Sequence, residues 1–319
     1  METGLSGSNY NEVLQLIMNT NCNYAVGVDI GGSHVCSRVV DLAAPGGTEY
    51  PVVETPVDCG AGASAVLAAW TGNIRRAISA SGLGQVRNVG LAFPGPFDYE
   101  RGISLIQGVR KFDRLYGLDV TESLLARLEG AGVEECRYVN DAAAFALGEC
   151  FCGAASGAGR VMALTLGTGF GSGFVAAGRL LTDAPEVPVH GWVYHLPFEG
   201  GIADDAFSTR WFCRRYRALT GREVTGVKEI ADRAGTEKEA RRLFDEYGRR
   251  LGEFILPVFD RFRGDVLVLG GNIARAYPLF GPAFEARLAD EGRKIDIRMS
   301  ALLDQAAMAL SLIHISEPT

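Results

Sequence analysis

The chain has 319 residues, of which 47% are hydrophobic and 22% charged, with a formal net charge of −7 at neutral pH. That length supports two ordinary domains with real cores. An acidic balance with no basic block and no interleaving of basic and aromatic residues argues against nucleic acid and anionic membranes as partners.

No apolar run reaches transmembrane length, and the first twenty residues lack the basic start and apolar core of a secretory signal, so a cytoplasmic location is expected. Seven cysteines, odd in number and irregularly spaced, read as reduced thiols. Cys150 and Cys152 have no matching pair elsewhere from which a metal site could be built.

Apolar runs predict strands at 24–30, 35–40, 86–92, 136–139, 161–166, 174–177 and 266–269, and spacings of three and four predict helices at 64–79, 121–129, 142–151, 206–219 and 238–262. Alternation of the two is an α/β pattern. The first segment of interest, YAVGVDIGGSHVCSRVVD, is a strand, a glycine turn and a second strand. Val26, Val28 and Ile30 share one face, which puts Asp29 on the other, beside Gly31 and Gly32. Glycine amides in such a turn can converge on a phosphate. A carboxylate next to bound phosphate calls for a cation, and magnesium, held directly or through water, suits one carboxylate plus substrate phosphates. A carboxylate capping its own turn is the plainer account of Asp29.

Further along, LAFPGPFD ends a strand in the stiff turn Pro94-Gly95-Pro96, which can hold a small polar ligand or simply reverse the chain. Asn140 and Asp141 then stand where a strand ends and an alanine-rich helix begins. Each is a natural N-cap. Asp141 is also placed as a general base at the mouth of a cleft between two halves, with the helix N-terminus expected to lower its pKa. The run VMALTLGTGFGSGFVAAGRL repeats the first hairpin design, with Gly167, Thr168 and Gly169 as a second phosphate turn. Finally, VLVLGGN ends a buried strand in Gly270 and Gly271, either a bare surface for adenine or an ordinary strand-to-helix turn. The two hairpins open two related halves, with the boundary placed near Val139 and Asn140.

In this order, GVDIGG, LAFPGPFD, VNDAAAFALGE, LTLGTGFGSG and VLVLGGN resemble the signature of the ROK family of sugar kinases and sugar-responsive repressors, across residues 25–310. The resemblance implies a two-domain actin-like ATPase (ribonuclease H-like) fold with an interdomain cleft. It implies an N-terminal domain over 1–139, completed by a last helix at 301–310, and a C-terminal domain over 140–300. Asp29, Gly31 and Gly32 become the first phosphate and magnesium element, Gly167, Thr168 and Gly169 the second phosphate loop, and Gly270 and Gly271 the adenosine site. Asp141 becomes the catalytic base. Pro94, Gly95 and Asn140 fall to the sugar, and a homodimer is implied.

The family's GExGH element and cysteine-rich zinc motif are altered: the chain reads GWVYH and then LPFEGGIADDAFSTRWF. Trp192 stands where the sugar-binding Glu is usual, and His195 remains. Glu199, Asp204 and Asp205 are the candidates for the acidic sugar contact. His190 and His195 cannot close a tetrahedral zinc shell, so structural zinc is not expected. The implied activity is transfer of the γ-phosphoryl of ATP to a hydroxyl of a hexose or N-acetylhexosamine, with magnesium. The alternative is a catalytically weak sugar- or nucleotide-binding protein of the same fold. A DNA-binding regulator is disfavoured, because the residues before Ala25 are too few for a helix-turn-helix. Residues 310–319, LSLIHISEPT, read as a non-native tail and receive no function.

Overall fold

A computed structural model describes residues 24–301 apart from 43–49, 85 and 109–110. The expected last helix at 301–310 and the tail at 310–319 therefore lie outside the described residues, save Ala301. The described residues form two compact units, one running to Ala144 and the other starting at Phe145. The division falls five residues beyond the boundary placed at Val139 and Asn140, inside the helix that follows.

In the first unit, β1 (Tyr24–Ile30) and β2 (His34–Asp41) form an antiparallel hairpin, and β3 (Val53–Pro56) extends it. On the other side of β1 run β4 (Asn88–Phe93) and β7 (Glu135–Asn140), both parallel to it, giving the order β3-β2-β1-β4-β7. All six residues of β4 are buried, as expected of a strand covered on both faces. A small ribbon of β5 (Phe97–Asp98) and β6 (Ile103–Ser104) stands apart. Helix α1 (Ala63–Ser81) lays Val66, Leu67, Trp70, Ile74, Ala77 and Ile78 on the sheet, and Gly82 ends it in the left-handed conformation. Trp70 is wholly buried, edge-on to Phe93 at 5.5 Å and to Phe112 at 5.3 Å. Burial of such a side chain contributes about 1.5–3 kcal/mol. Helix α2 (Val120–Arg127) is capped by the Asp119 carboxylate, which accepts from the Glu122 amide.

Helix α3 (Asp141–Phe151) follows β7 directly. The second unit repeats the sheet plan. Strands β8 (Arg160–Leu166), β9 (Phe170–Ala176) and β10 (Arg179–Leu180) are antiparallel neighbours, and β13 (Val266–Gly270) and β14 (Asp296–Met299) continue in parallel on the far side of β8. The order is β10-β9-β8-β13-β14. A ribbon of β11 (Pro197–Phe198) and β12 (Gly201–Ile202) precedes α4 (Ala203–Phe207), α5 (Thr209–Thr220), α6 (Val227–Arg233) and α7 (Lys238–Phe262). Helix α7 buries Leu243, Phe244, Tyr247, Leu251, Phe254, Ile255, Phe259 and Phe262 along one face, and α8 (Tyr277–Asp290) adds Phe280, Phe284 and Leu288 to the same core.

Helix 238–262 has the bounds its periodicity predicts. The helix predicted at 206–219 is instead two, broken at Ser208, whose extended backbone (φ −92°, ψ 168°) ends α4 and starts α5. Strand β9 starts at Phe170 rather than 174, because Gly171, Ser172 and Gly173 pair with Thr165, Leu164 and Ala163 despite their weak strand propensity. Strands β3, β10 and β14 and helices α6 and α8 carry too weak a pattern to have been anticipated.

Candidate active site

In the first unit, strand register gathers the candidate residues. Asp29 lies opposite Ala92, Ala92 opposite Val139, and Phe93 opposite Asn140. Asp29, the Pro94-Gly95 turn and Asn140-Asp141 therefore all leave the carboxyl ends of three adjacent parallel strands, which is where open α/β sheets take ligands. The first glycine turn is closed by the Gly31 amide donating to the His34 carbonyl at 2.9 Å. A Cβ on Gly31 would stand 2.8 Å from that carbonyl, so the turn demands glycine. Over Gly32 lies the Lys111 side chain, its Cε 2.9 Å from where a Cβ would be.

Asn140, not Asp141, caps α3: its Oδ1 accepts from the amides of Ala142 at 3.1 Å and Ala143 at 3.3 Å. Its Nδ2 donates to Tyr99 Oη at 3.1 Å, and Tyr99 Oη donates to the Phe93 carbonyl at 3.1 Å. Tyr99 Oη also lies 3.3 Å from a Cβ built on Gly95, so Gly95, Tyr99, Asn140 and Asp141 form one group. Nothing local in the sequence marked Tyr99; the β5–β6 ribbon carries it back over the end of β4.

Asp141 Oδ1 accepts from the Ala142 amide at 2.9 Å. Burial pushes the carboxyl above its ordinary pKa, against the charge of Lys111 and the hydrogen bonds from Ala142 and Asn140, which pull it down. The lowering expected from the helix start is thus corrected: its amide acts in that direction, but desolvation outweighs it. A carboxylate so raised is a better proton acceptor than one held low.

In the second unit the Gly167-Thr168-Gly169 turn joins β8 to β9, with Thr168 and Gly169 exposed. The Gly167 amide donates to the Gly169 carbonyl at 3.0 Å, and the Gly167 carbonyl accepts from Thr209 N at 2.8 Å and Thr209 Oγ1 at 2.9 Å. Asp204 belongs to this turn. Its Oδ1 accepts from the Phe170 amide at 2.8 Å and its Oδ2 from Arg210, which also donates to the Thr168 carbonyl at 3.4 Å. Asp205 is exposed.

Glu199 is held by Arg250 through two hydrogen bonds, at 3.1 and 2.6 Å, with the guanidinium stacked 4.9 Å over Trp211. Both Asp204 and Glu199, expected to meet sugar, are thus engaged with protein groups. Exposed His195 ends a run of rings: His190 to Trp192 at 4.8 Å, Trp192 to Tyr194 at 5.9 Å, Tyr194 to His195 at 5.2 Å. Ser172 anchors that run, donating to the Gly191 carbonyl at 2.6 Å and accepting from the Val193 amide at 3.0 Å.

At the end of β13 the space beside Gly270 is filled by the Phe145 ring, so Gly270 is not the bare surface expected for adenine. Gly271 adopts φ +86°, with the Leu166 carbonyl 2.5 Å from where a Cβ would stand. The stretch is a tight strand-to-helix turn in which Ile273 N donates to Leu166 O at 2.9 Å.

Among the described residues no three His, Cys, Asp or Glu side chains form a metal-binding group, and no helix is long and apolar enough to cross a membrane.

Two five-stranded sheets of one plan, each opening on a glycine hairpin, are the architecture of the actin-like ATPase fold. The ROK family model matches residues 25–310, and the chain belongs to the ROK family. It is 30% identical to a glucokinase of Thermotoga maritima over 228 residues, 62% of this chain and 68% of that protein. With an N-acetyl-D-glucosamine kinase of Vibrio cholerae it shares 28% identity over 205 residues, 58% of this chain and 65% of the other. The alignments thus span about two thirds of these relatives' length. The crystal structure of a ROK hexokinase from Thermus thermophilus shares the fold, with a TM-score of 0.72 and 23% identity, covering 91% of this chain and 97% of that one.

Proposed function

We propose that this chain is an ATP-dependent sugar kinase that phosphorylates a hydroxyl of a hexose or N-acetylhexosamine. The observation that carries the reading is Asp141: a carboxyl with a raised pKa at the end of a parallel strand, beside a capping Asn140, in a ROK chain with a phosphate turn in each unit. Support for the substrate class comes from the names of its relatives, a glucokinase and an N-acetyl-D-glucosamine kinase.

The acceptor hydroxyl oxygen attacks the γ-phosphorus of ATP, the bond to the bridging oxygen of the leaving ADP breaks, and the hydroxyl proton passes to the Asp141 carboxylate. With the Gly31 and Gly167 amides closing their own turns, the Gly32 amide in the first unit and the Thr168 and Gly169 amides in the second are the donors each turn has for phosphate. Magnesium, which Asp29 would hold directly or through water, supplies charge neutralisation when bound. Asn140 commits its Oδ1 to the helix cap and its Nδ2 to Tyr99 Oη and the Asp141 carboxyl, so a sugar oxygen would reach it by taking over one of those N–H groups.

The test is ADP release with magnesium and ATP across a panel of hexoses and N-acetylhexosamines, beside Asp141→Asn. Turnover with one sugar that falls by about 10²–10⁴ in the variant supports the reading. The engagement of Asp204 and Glu199 in protein contacts favours a second reading, a catalytically weak sugar- or nucleotide-binding protein. Nucleotide binding without turnover on any sugar would select it.

A further inference from the structure

Lys111 has no role in the reading so far, yet its surroundings are specific. Its side chain lies directly over the Cα of Gly32 in the first phosphate turn: a Cβ there would stand 2.9 Å from Cε, 3.3 Å from Cδ and 3.6 Å from Nζ. Any side chain at Gly32 would displace it. The residue is half-buried, and no ion pair or hydrogen bond among the described residues engages its ammonium. Its stem runs beside the Phe112 ring, with Nζ 5.8 Å from the centroid.

Phe112 fixes where that stem begins. It is 1% exposed, packed edge-on against Trp70, and its amide donates to the Cys59 carbonyl at 2.9 Å. Its φ of +59° is a conformation that costs a bulky residue of order 1–3 kcal/mol and persists only where the surroundings impose it. Among the described residues the charge of Lys111 acts on the Asp141 carboxyl, and no hydrogen-bond acceptor is seated on its ammonium. Packing on Trp70 and the bond to the Cys59 carbonyl impose the Phe112 conformation, and an anion over the Gly31-Gly32 turn would supply the acceptor for the Lys111 ammonium.

We propose that Lys111 is a catalytic residue of the first unit, its ammonium contacting the terminal phosphoryl group of bound nucleotide over the Gly31-Gly32 turn, between that turn and Asp141. The inference rests on the kinase reading and adds a residue to it. In the ground state Lys111 offsets the charge of the terminal phosphate. During transfer it meets the charge spread over the equatorial oxygens and holds the phosphoryl group in line with the hydroxyl that Asp141 deprotonates. Lys111 is the charged group that acts on the Asp141 carboxyl, so its loss should also be felt there.

The experiment compares Lys111→Met, Lys111→Gln and Lys111→Arg with the parent protein in three readouts. In calorimetric titration with magnesium, the neutral variants should lose at least about tenfold in affinity for AMPPNP, which carries a terminal phosphoryl group, while affinity for ADP stays within about twofold and reports an intact fold. In turnover, kcat should fall by about 10²–10³ with the sugar KM little changed, and Lys111→Arg should recover part of the loss. The acid limb of the kcat/KM profile should move to higher pH in the neutral variants, because a positive neighbour of Asp141 is gone.

A merely structural lysine would weaken AMPPNP and ADP alike and leave the acid limb in place, and that outcome overturns the proposal. Turnover on a sugar with an unchanged AMPPNP to ADP ratio also overturns it while leaving the kinase reading intact. Loss of that ratio in a protein that turns over no sugar upholds the contact and overturns the kinase reading instead. A parent protein that binds neither nucleotide refutes both.

Discussion

Replacing Asp204 by alanine separates two roles for that carboxylate. In the structure Asp204 accepts from the Phe170 amide at 2.8 Å, and Phe170 is 2% exposed, so truncation leaves a buried amide without an acceptor. Such an orphaned donor costs about 1–3 kcal/mol. The ion pair with Arg210 adds little, because the guanidinium is 57% exposed and surface pairs contribute about 0–1 kcal/mol. The sum is roughly 2 kcal/mol, which for a unit of this size lowers its Tm by about 4–8 °C. Asp204→Asn keeps a carbonyl oxygen for the Phe170 amide and should cost under about 1 kcal/mol.

The assay is thermal unfolding of both variants, with amide hydrogen exchange at Phe170 and the Gly167-Thr168-Gly169 turn and affinity for nucleotide in parallel. Alanine should lower Tm, expose the Phe170 amide to exchange and weaken nucleotide binding; asparagine should do little of this. If alanine instead left Tm and exchange unchanged and raised only the KM for sugar, the carboxylate would be a sugar contact and the assignment to the turn would be wrong.

Gly271→Ala should destabilise the second unit by about 2–4 kcal/mol, combining left-handed strain at φ +86° with overpacking on the Leu166 carbonyl, and denaturant unfolding would detect it. Asp141→Asn should lower turnover by about 10²–10⁴ yet raise the Tm at pH 7. Because the folded-state pKa of Asp141 lies above its unfolded value near 3.8, the folded state binds the extra proton in between, and stability falls as pH rises through that window. The gain from asparagine should therefore be full above the folded pKa and vanish toward pH 4, and equal Tm differences at both pH values would contradict it. Limited alkylation read by mass spectrometry should modify exposed Cys152 ahead of Cys136 and Cys150, which are buried and whose thiols burial pushes up to about 12 and about 11. Early labelling of Cys136 would refute that order.

Local pattern alone determined the α/β class, the strands that open each unit, the 25 residues of α7 and the two glycine hairpins, because each is written in short-range periodicity and in turn chemistry. The order of the five motifs was likewise enough for the family. Tertiary structure decided which side chains meet. Asn140 rather than Asp141 became the cap, Asp204 turned to the Phe170 amide, Phe145 filled the space beside Gly270, and Tyr99 and Lys111 were carried to Asn140 and Gly32 by loops without a motif. The direction of the Asp141 shift followed from the same cause: desolvation depends on everything packed around the carboxyl, whereas the helix start next to it is all that the chain's local order reveals.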